Sequence, residues 1–384
     1  MQNRITEAAL PIFLFIVLLG FSTKKISAQQ ETGLIRQSSP VEKSDSIYKQ
    51  TALACEDPIE SLKPETWLKR AKVLGSILDE PTLSIRHTNT DLRVDLANAL
   101  LKLISTDSKK EHILYSEPSL AGICIDLSNA GLQSLENARV YKSAEDAGIG
   151  AALLEKSMEC YIQTGNSQYV VDREWIKNSL SWEWMKFYQG VGLRKSGETE
   201  KAMKIFASLM TSNWNQAIVF LEAADLANQM EKSDESIKIL TNGYASLPNS
   251  TDIACALIQN YLRVNKTKEA KSLLRKLEKN PENQQNLGFV FTEGAYYEKK
   301  GDYKRAEGFF RAWYNADKNE VSVIQIFAAF LIRKTDQLET SNAEDLATEA
   351  IKILKHASEL SPENQEIPKA LELVRKKFPK LDKI

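Results

Sequence analysis

Histidine, cysteine, proline and glycine are all scarce in this chain. Three histidines and four cysteines in 384 residues leave little material for a metal centre or a nucleophile. His87, His112 and His356 are widely scattered, and Cys55, Cys124, Cys160 and Cys255 form no CxxC pair of the kind that holds zinc or exchanges thiols. No glycine-rich phosphate loop and no paired Cys/His spacing is present. Carboxylates such as Glu293 and Glu298, at helical positions, read as surface charges. The expectation is therefore no enzyme, no cofactor and no metal. With 11 prolines and 16 glycines the chain favours long helices over a loop-rich all-β fold. An excess of one charge is missing too. Fifty basic residues face 51 acidic ones, a formal net charge of −1, so neither nucleic acid nor an anionic membrane surface is indicated as a general partner.

A long hydrophobic run is also lacking. The most apolar stretch, Ala8 to Gly20, has 13 residues and is interrupted by Pro11, whereas a bilayer-spanning helix needs roughly 20. Arg4 precedes the run and Ala28 offers a small-residue cleavage site before two glutamines. Residues 1–28 therefore read as an export signal; left uncleaved, with Lys24 and Lys25 beyond the run, the segment would serve as an anchor. The expected location is periplasmic or cell-envelope associated, with secretion as the alternative. Residues 29–57, rich in Gln, Ser and Thr, read as a flexible linker. In an oxidising compartment the four cysteines could be buried free thiols, or Cys124 could pair with Cys160; the spacing decides neither.

What the chain does contain is helical periodicity. Over 58–147 the pattern is helical but irregular. Pro64 suits a first helical turn ahead of Trp67, Ala71, Leu74 and Leu78, and Pro81 stops that helix. Asp91 opens a second helix, and Ser116 or Glu117 with Pro118 a third, with Leu132 to Ala144 continuing the helical material. Residues 148–182 read as a diverged helical hairpin. From there the pattern repeats. A small residue opens a second helix at Ala202, Ser236, Ala270 and Ala306, in steps of 34, 34 and 36. Four residues later comes a large one, Phe206, Leu240, Leu274 or Phe310, and the turn before carries Gly197, Glu231, Asn265 or Gly301. In the clearest copy Val290, Gly294 and Tyr297 face Ala306, Phe310 and Trp313 across a short turn, which makes an antiparallel αα-hairpin. A fixed period of this length is the signature of stacked hairpins.

These positions resemble the tetratricopeptide repeat family. Gly190, Ala224, Ile258 and Gly294 stand at its small position in the first helix. Leu193, Ala227, Tyr261 and Tyr297 follow, and Pro248 and, approximately, Pro281 close their repeats. Ala350, Leu354, Ala357 and Pro362 fit a fifth copy. The resemblance covers 183–363 as units 183–216, 217–250, 251–284, 287–320 and 321–363, the last with an acidic polar insertion of about ten residues around DQLETSNAED that Ser341 and Asn342 would cap. Residues 364–384 read as a capping helix. The implied fold is all-α, a right-handed superhelical solenoid of antiparallel helix pairs. The implied activity is non-enzymatic binding of a protein or peptide partner in a concave groove lined by the first helices, with membrane association only through a partner or an uncleaved N-terminal segment. Transferred onto this sequence, the groove positions select Trp184, Phe187, Arg194, Lys195, Asp225, Gln229, Gln259, Arg263, Phe291 and Lys299. A second expectation places a small-ligand or carbohydrate site at the aromatic junction near residues 175–188, with Trp175, Trp182, Trp184, Phe187 and Tyr188; these rings serve equally as packing.

Overall fold

The computed structural model describes residues 40–80, 91–164, 167, 181–212, 214, 216–337 and 340–381. The expected export signal and Trp175 lie outside the described residues. Sixteen α-helices and three short 3-10 turns account for the secondary structure among those residues, with no strand. They group into two compact units, one running through Trp214 and the other from Asn215 onward.

The N-terminal unit begins with α1 (Pro40–Glu56), where the polar composition had suggested a linker. The correction has a local cause. α1 packs on α2 (Pro64–Leu78), and the Arg70 guanidinium donates to the Tyr48 carbonyl at 2.8 Å and to Thr51 Oγ1 at 3.2 Å. The same guanidinium lies 4.2 Å over the Tyr48 ring. A backbone carbonyl and one ring anchor the helix, so little apolar periodicity was needed. α2 starts with Pro64 in its first turn. α3 (Leu92–Thr106) starts at Asp91, whose side chain accepts from the Arg93 N–H at 3.0 Å. α4 (Ile113–Tyr141) is one unbroken helix of 29 residues, so Pro118 does not open it but lies within it. The helical material forecast from Leu132 onward belongs to this same helix as far as Tyr141. α5 (Ala144–Thr164) supplies the first half of the expected hairpin over 148–182, starting earlier than forecast; residues 168–180 lie outside the described set. α6 (Trp182–Lys195) and α7 (Thr199–Thr211) complete the unit, so the first repeat groups with the N-terminal half of the chain.

Glycines set the spacing of α4, α5 and α6. A Cβ on Gly150 would stand 2.8 Å from the Gly131 carbonyl oxygen, and one on Gly192 would stand 2.9 Å from the Ala147 carbonyl oxygen. Backbones in contact at that range leave no room for a side chain.

The C-terminal unit consists of four hairpins and a cap: α8 (Ala217–Gln229) with α9 (Ser233–Ser246), α10 (Thr251–Arg263) with α11 (Thr267–Leu277), α12 (Leu287–Lys299) with α13 (Tyr303–Ala316), and α14 (Val321–Thr335) with α15 (Thr340–Leu360). α16 (Glu366–Lys377) follows. The small residues Ala202, Ser236, Ala270 and Ala306 are fully buried, as are their large partners four residues on. Size is traded across each pair of helices. Where the second helix carries phenylalanine, the first carries glycine: a Cβ on Gly190 would meet the Phe206 ring at 2.8 Å, and one on Gly294 the Phe310 ring at 3.1 Å. Where it carries Leu240 or Leu274, Ala224 or Ile258 stands opposite in the pattern.

The turns repeat one motif. In each, the N–H two residues beyond the helix cap returns to a carbonyl five residues back: Glu198 to Leu193, Lys232 to Ala227, Lys266 to Tyr261 and Asp302 to Tyr297, at 2.8–3.0 Å. This closure requires a left-handed residue just before the donor. Gly197 and Gly301 supply it with φ of 90° and 76°, while Glu231 and Asn265 adopt it at 61° and 62°. Two of the four turns therefore hold a conformation that glycine would take without strain.

In the fifth unit the forecast loop is largely helix. α15 begins at Thr340 and runs 21 residues, so Ser341 and Asn342 lie inside it rather than capping it. The additional residues lengthen the helix at its N-terminal end.

Candidate functional site

In the C-terminal unit the first helices of neighbouring hairpins pack side by side, α8 against α10 and α10 against α12. Gln259 Nε2 on α10 donates to Thr292 Oγ1 on α12 at 3.1 Å, and that hydroxyl donates to the Gly288 carbonyl at 2.7 Å. Arg333 on α14 holds Glu298 on α12 through two bonds, 2.6 and 3.1 Å. These ties make the first helices one layer, and a bidentate guanidinium–carboxylate pair adds directional definition to it.

The ten residues selected from sequence are distributed over both units and divide by what they already do. On α6, Phe187 is 0% exposed, a correction to its assignment as a contact residue: it is core. Trp184 is half-buried, stacked on Tyr188 at 5.7 Å and edge-on to Trp214 at 4.9 Å and Phe187 at 5.6 Å. Trp182 packs on Tyr161 at 5.9 Å. The described rings of the aromatic junction pack on one another or on neighbouring aromatics, which favours a packing role for them over a ligand pocket. Arg194 is half-buried and Lys195 exposed. The carboxyl of Glu136 is held low by its hydrogen bond with Arg139, and the Lys195 charge contributes.

On α8, Gln229 Nε2 donates to Asp225 Oδ2 at 2.8 Å, so two of the selected residues pair with each other. Gln259 is engaged with Thr292, as above. Phe291 is half-buried against Phe310 at 5.6 Å and Trp313 at 4.9 Å, so part of its ring is used in packing. Arg263 and Lys299 differ from all of these. Both are exposed in the last turns of α10 and α12, and neither has an ion-pair partner among the described residues. Cations there are favoured by the carbonyl ends of the helices, and these two retain their hydrogen-bonding capacity. Arg333, in the last turn of α14, continues the series at the same register. It was not among the positions selected from sequence, because the second helix of the fifth repeat departs from the regular spacing.

Among the described residues no cysteine thiol is activated. All four cysteines are free thiols. Burial pushes Cys124 up to about 11 and Cys160 and Cys255 up to about 12, so these three stay protonated near neutrality. Glu293 on α12 is unusual. Burial, reinforced by the Glu278 carboxylate, raises it from the usual 4.5 to about 7. The folded chain then keeps a proton that the unfolded chain has lost. Stability from this group is full below pH 4.5 and declines as pH rises through about 7. Glu293→Gln is expected to flatten that decline. It should gain on the order of 1 kcal/mol at pH 8, reduced from the full shift because the side chain is half exposed. Melting temperatures of both proteins between pH 5 and 8 check this, and parallel curves would contradict it.

The chain is thus an all-α stack of antiparallel helix pairs, TPR-like in its repeats. No protein-family model matches it, and no curated protein does. Among solved structures it is similar to a tetratricopeptide repeat protein from Parabacteroides merdae, at 12% identity over 64% of this chain and 99% of that one, with a TM-score of 0.37. It is similar to yeast Tom70 at 13% identity, covering 89% of this chain and 80% of that one, with a TM-score of 0.42. Human IFIT1, solved as a dimer with PPP-AAAA, matches at 13% identity over 90% of this chain and 71% of that one, with a TM-score of 0.46. At these values the architecture rests on the chain's own helices and turns.

Proposed function

We propose that this chain is an exported, non-enzymatic scaffold that binds a protein or peptide partner across the first-helix layer of its C-terminal unit, in an envelope-associated complex. The observation that carries the reading is the pair Arg263 and Lys299: exposed, without ion-pair partners among the described residues, and on adjacent helices whose spacing is held by the Gln259–Thr292 bond. Two such cations suit a segment presenting a carboxylate and backbone carbonyls. A layer already ordered by packing spends little conformational entropy on binding. Export is supported by the N-terminal apolar run of 13 residues. Among the described residues no helix is long and apolar enough to cross a membrane.

The test is a crosslinking pull-down of the wild type beside an Arg263→Ala, Lys299→Ala double variant. One abundant partner should fall at least tenfold in the variant, with helicity and melting temperature unchanged, since exposed side chains without partners add little to folding. Undiminished capture would place the working surface elsewhere.

A further inference from the structure

The N-terminal unit holds a cluster that the scattered histidines did not announce. Glu65, in the first turn of α2, meets Glu111 and His112 from the link between α3 and α4. One ligand atom from each lies within 4.8 Å of the others. Among the described residues no hydrogen bond or ion pair joins the three to one another. His112 Nε2 is shielded from solvent and has no hydrogen-bond partner. A buried nitrogen without a partner costs about 1–3 kcal/mol and calls for an explanation. The link is itself fixed: the buried Asp107 carboxylate accepts the Glu111 N–H at 3.0 Å and the His112 N–H at 2.7 Å. The position of the histidine is therefore set by the fold rather than by its ring.

The geometry points to a divalent-cation site formed by Glu65, Glu111 and His112. One imidazole and two carboxylates suit a borderline cation of the zinc class better than calcium or magnesium, which take oxygen ligands. Lys109 competes as a counter-cation, with its Nζ 3.8 Å from Glu111 Oε1; at 81% side-chain exposure it is free to swing into water. An ion held here would link the start of α2 to the start of α4, spanning a boundary that sequence separates by more than forty residues. A ligand that binds only the folded form raises its stability, so the site would reinforce the N-terminal unit.

The test uses the full mature chain, stripped of metal by a chelator, with Co²⁺ as a spectroscopic probe and Zn²⁺ as competitor. The expected result is one saturable equivalent of Co²⁺ with a visible d–d absorption, displaced by Zn²⁺, and a melting temperature that rises with Zn²⁺. Glu65→Gln and Glu111→Gln change exposed side chains and should leave metal-free melting unchanged while each weakens Co²⁺ binding at least tenfold. His112→Gln should abolish the band. Absence of a saturable band, or equal affinity in the wild type and both glutamine variants, would overturn the assignment.

Discussion

Gly150→Val will destabilise the N-terminal unit by about 3 kcal/mol, whereas Gly122→Ala, in the neighbouring helix α4, will stabilise it by about 0.5–1 kcal/mol. The two substitutions begin from the same residue in the same kind of helix. At Gly122 an added Cβ meets nothing within 4 Å, so only the propensity gain remains. At Gly150 it meets the Gly131 carbonyl oxygen at 2.8 Å and two atoms of Leu135 at 2.8 and 2.9 Å. Leu135 could adjust, but a carbonyl oxygen of a packed helix cannot move without carrying its helix along. Valine then adds two further methyl groups where the first does not fit. Urea denaturation followed by circular dichroism gives both signs in one series, and a neutral Gly150→Val would show that α4 and α5 are not in backbone contact.

Phe310→Ala will cost about 3–5 kcal/mol, the largest single effect expected in the C-terminal unit. The ring is 1% exposed and packs at 4.6 Å from Phe330 and 5.6 Å from Phe291. It also fills the space that Gly294 leaves open, with Cδ1 3.1 Å from where a Cβ on that glycine would stand. Its removal leaves a cavity bounded by a glycine, which has no side chain to move in. Phe309, one residue away and half-buried, stacks on Tyr297 at 5.6 Å, so Phe309→Ala should cost only about 1 kcal/mol. A melting comparison of the pair checks the ranking. Equal losses would show that the glycine–phenylalanine pairing does not set the hairpin's packing.

The repeats were legible because each hairpin writes its packing twice, once as a buried small residue and once as the large residue four positions on. Ala306 with Phe310 and Ala270 with Leu274 fall where the spacing put them. The turn register was equally visible, although Glu231 and Asn265 show that the left-handed position does not always carry glycine. What the pattern could not convey was help from outside the local stretch. α1 is held by Arg70, whose effect on Tyr48 is invisible to the polar segment 40–56. The polar residues near Thr340 read as a loop, yet they are compatible with helix and simply extend α15.

The site was legible only as a register. Position within the repeat identifies a side chain's place on its helix but not what has already claimed it. Gln259 is engaged by Thr292 and Gln229 by Asp225, and Phe187 and Phe291 are drawn into packing. Each of these outcomes depends on a partner whose own rotamer the sequence does not state. Arg263 and Lys299 keep the character assigned to them because neither has an ion-pair partner among the described residues. The Glu65–Glu111–His112 cluster was hidden for the opposite reason, since its members come together only when α2 and α4 are placed.

The most direct measurement is site-specific photocrosslinking in cells, with the reactive residue placed in turn at Gln229, Arg263 and Lys299 on the first helices and at Lys238, Lys271 and Lys304 on the second. All six positions are exposed, so reactivity reports the partner's location rather than access. The proposed function predicts one discrete partner adduct from the first set and none from the second. Adducts confined to Lys238, Lys271 and Lys304 would contradict it and assign binding to the opposite helices.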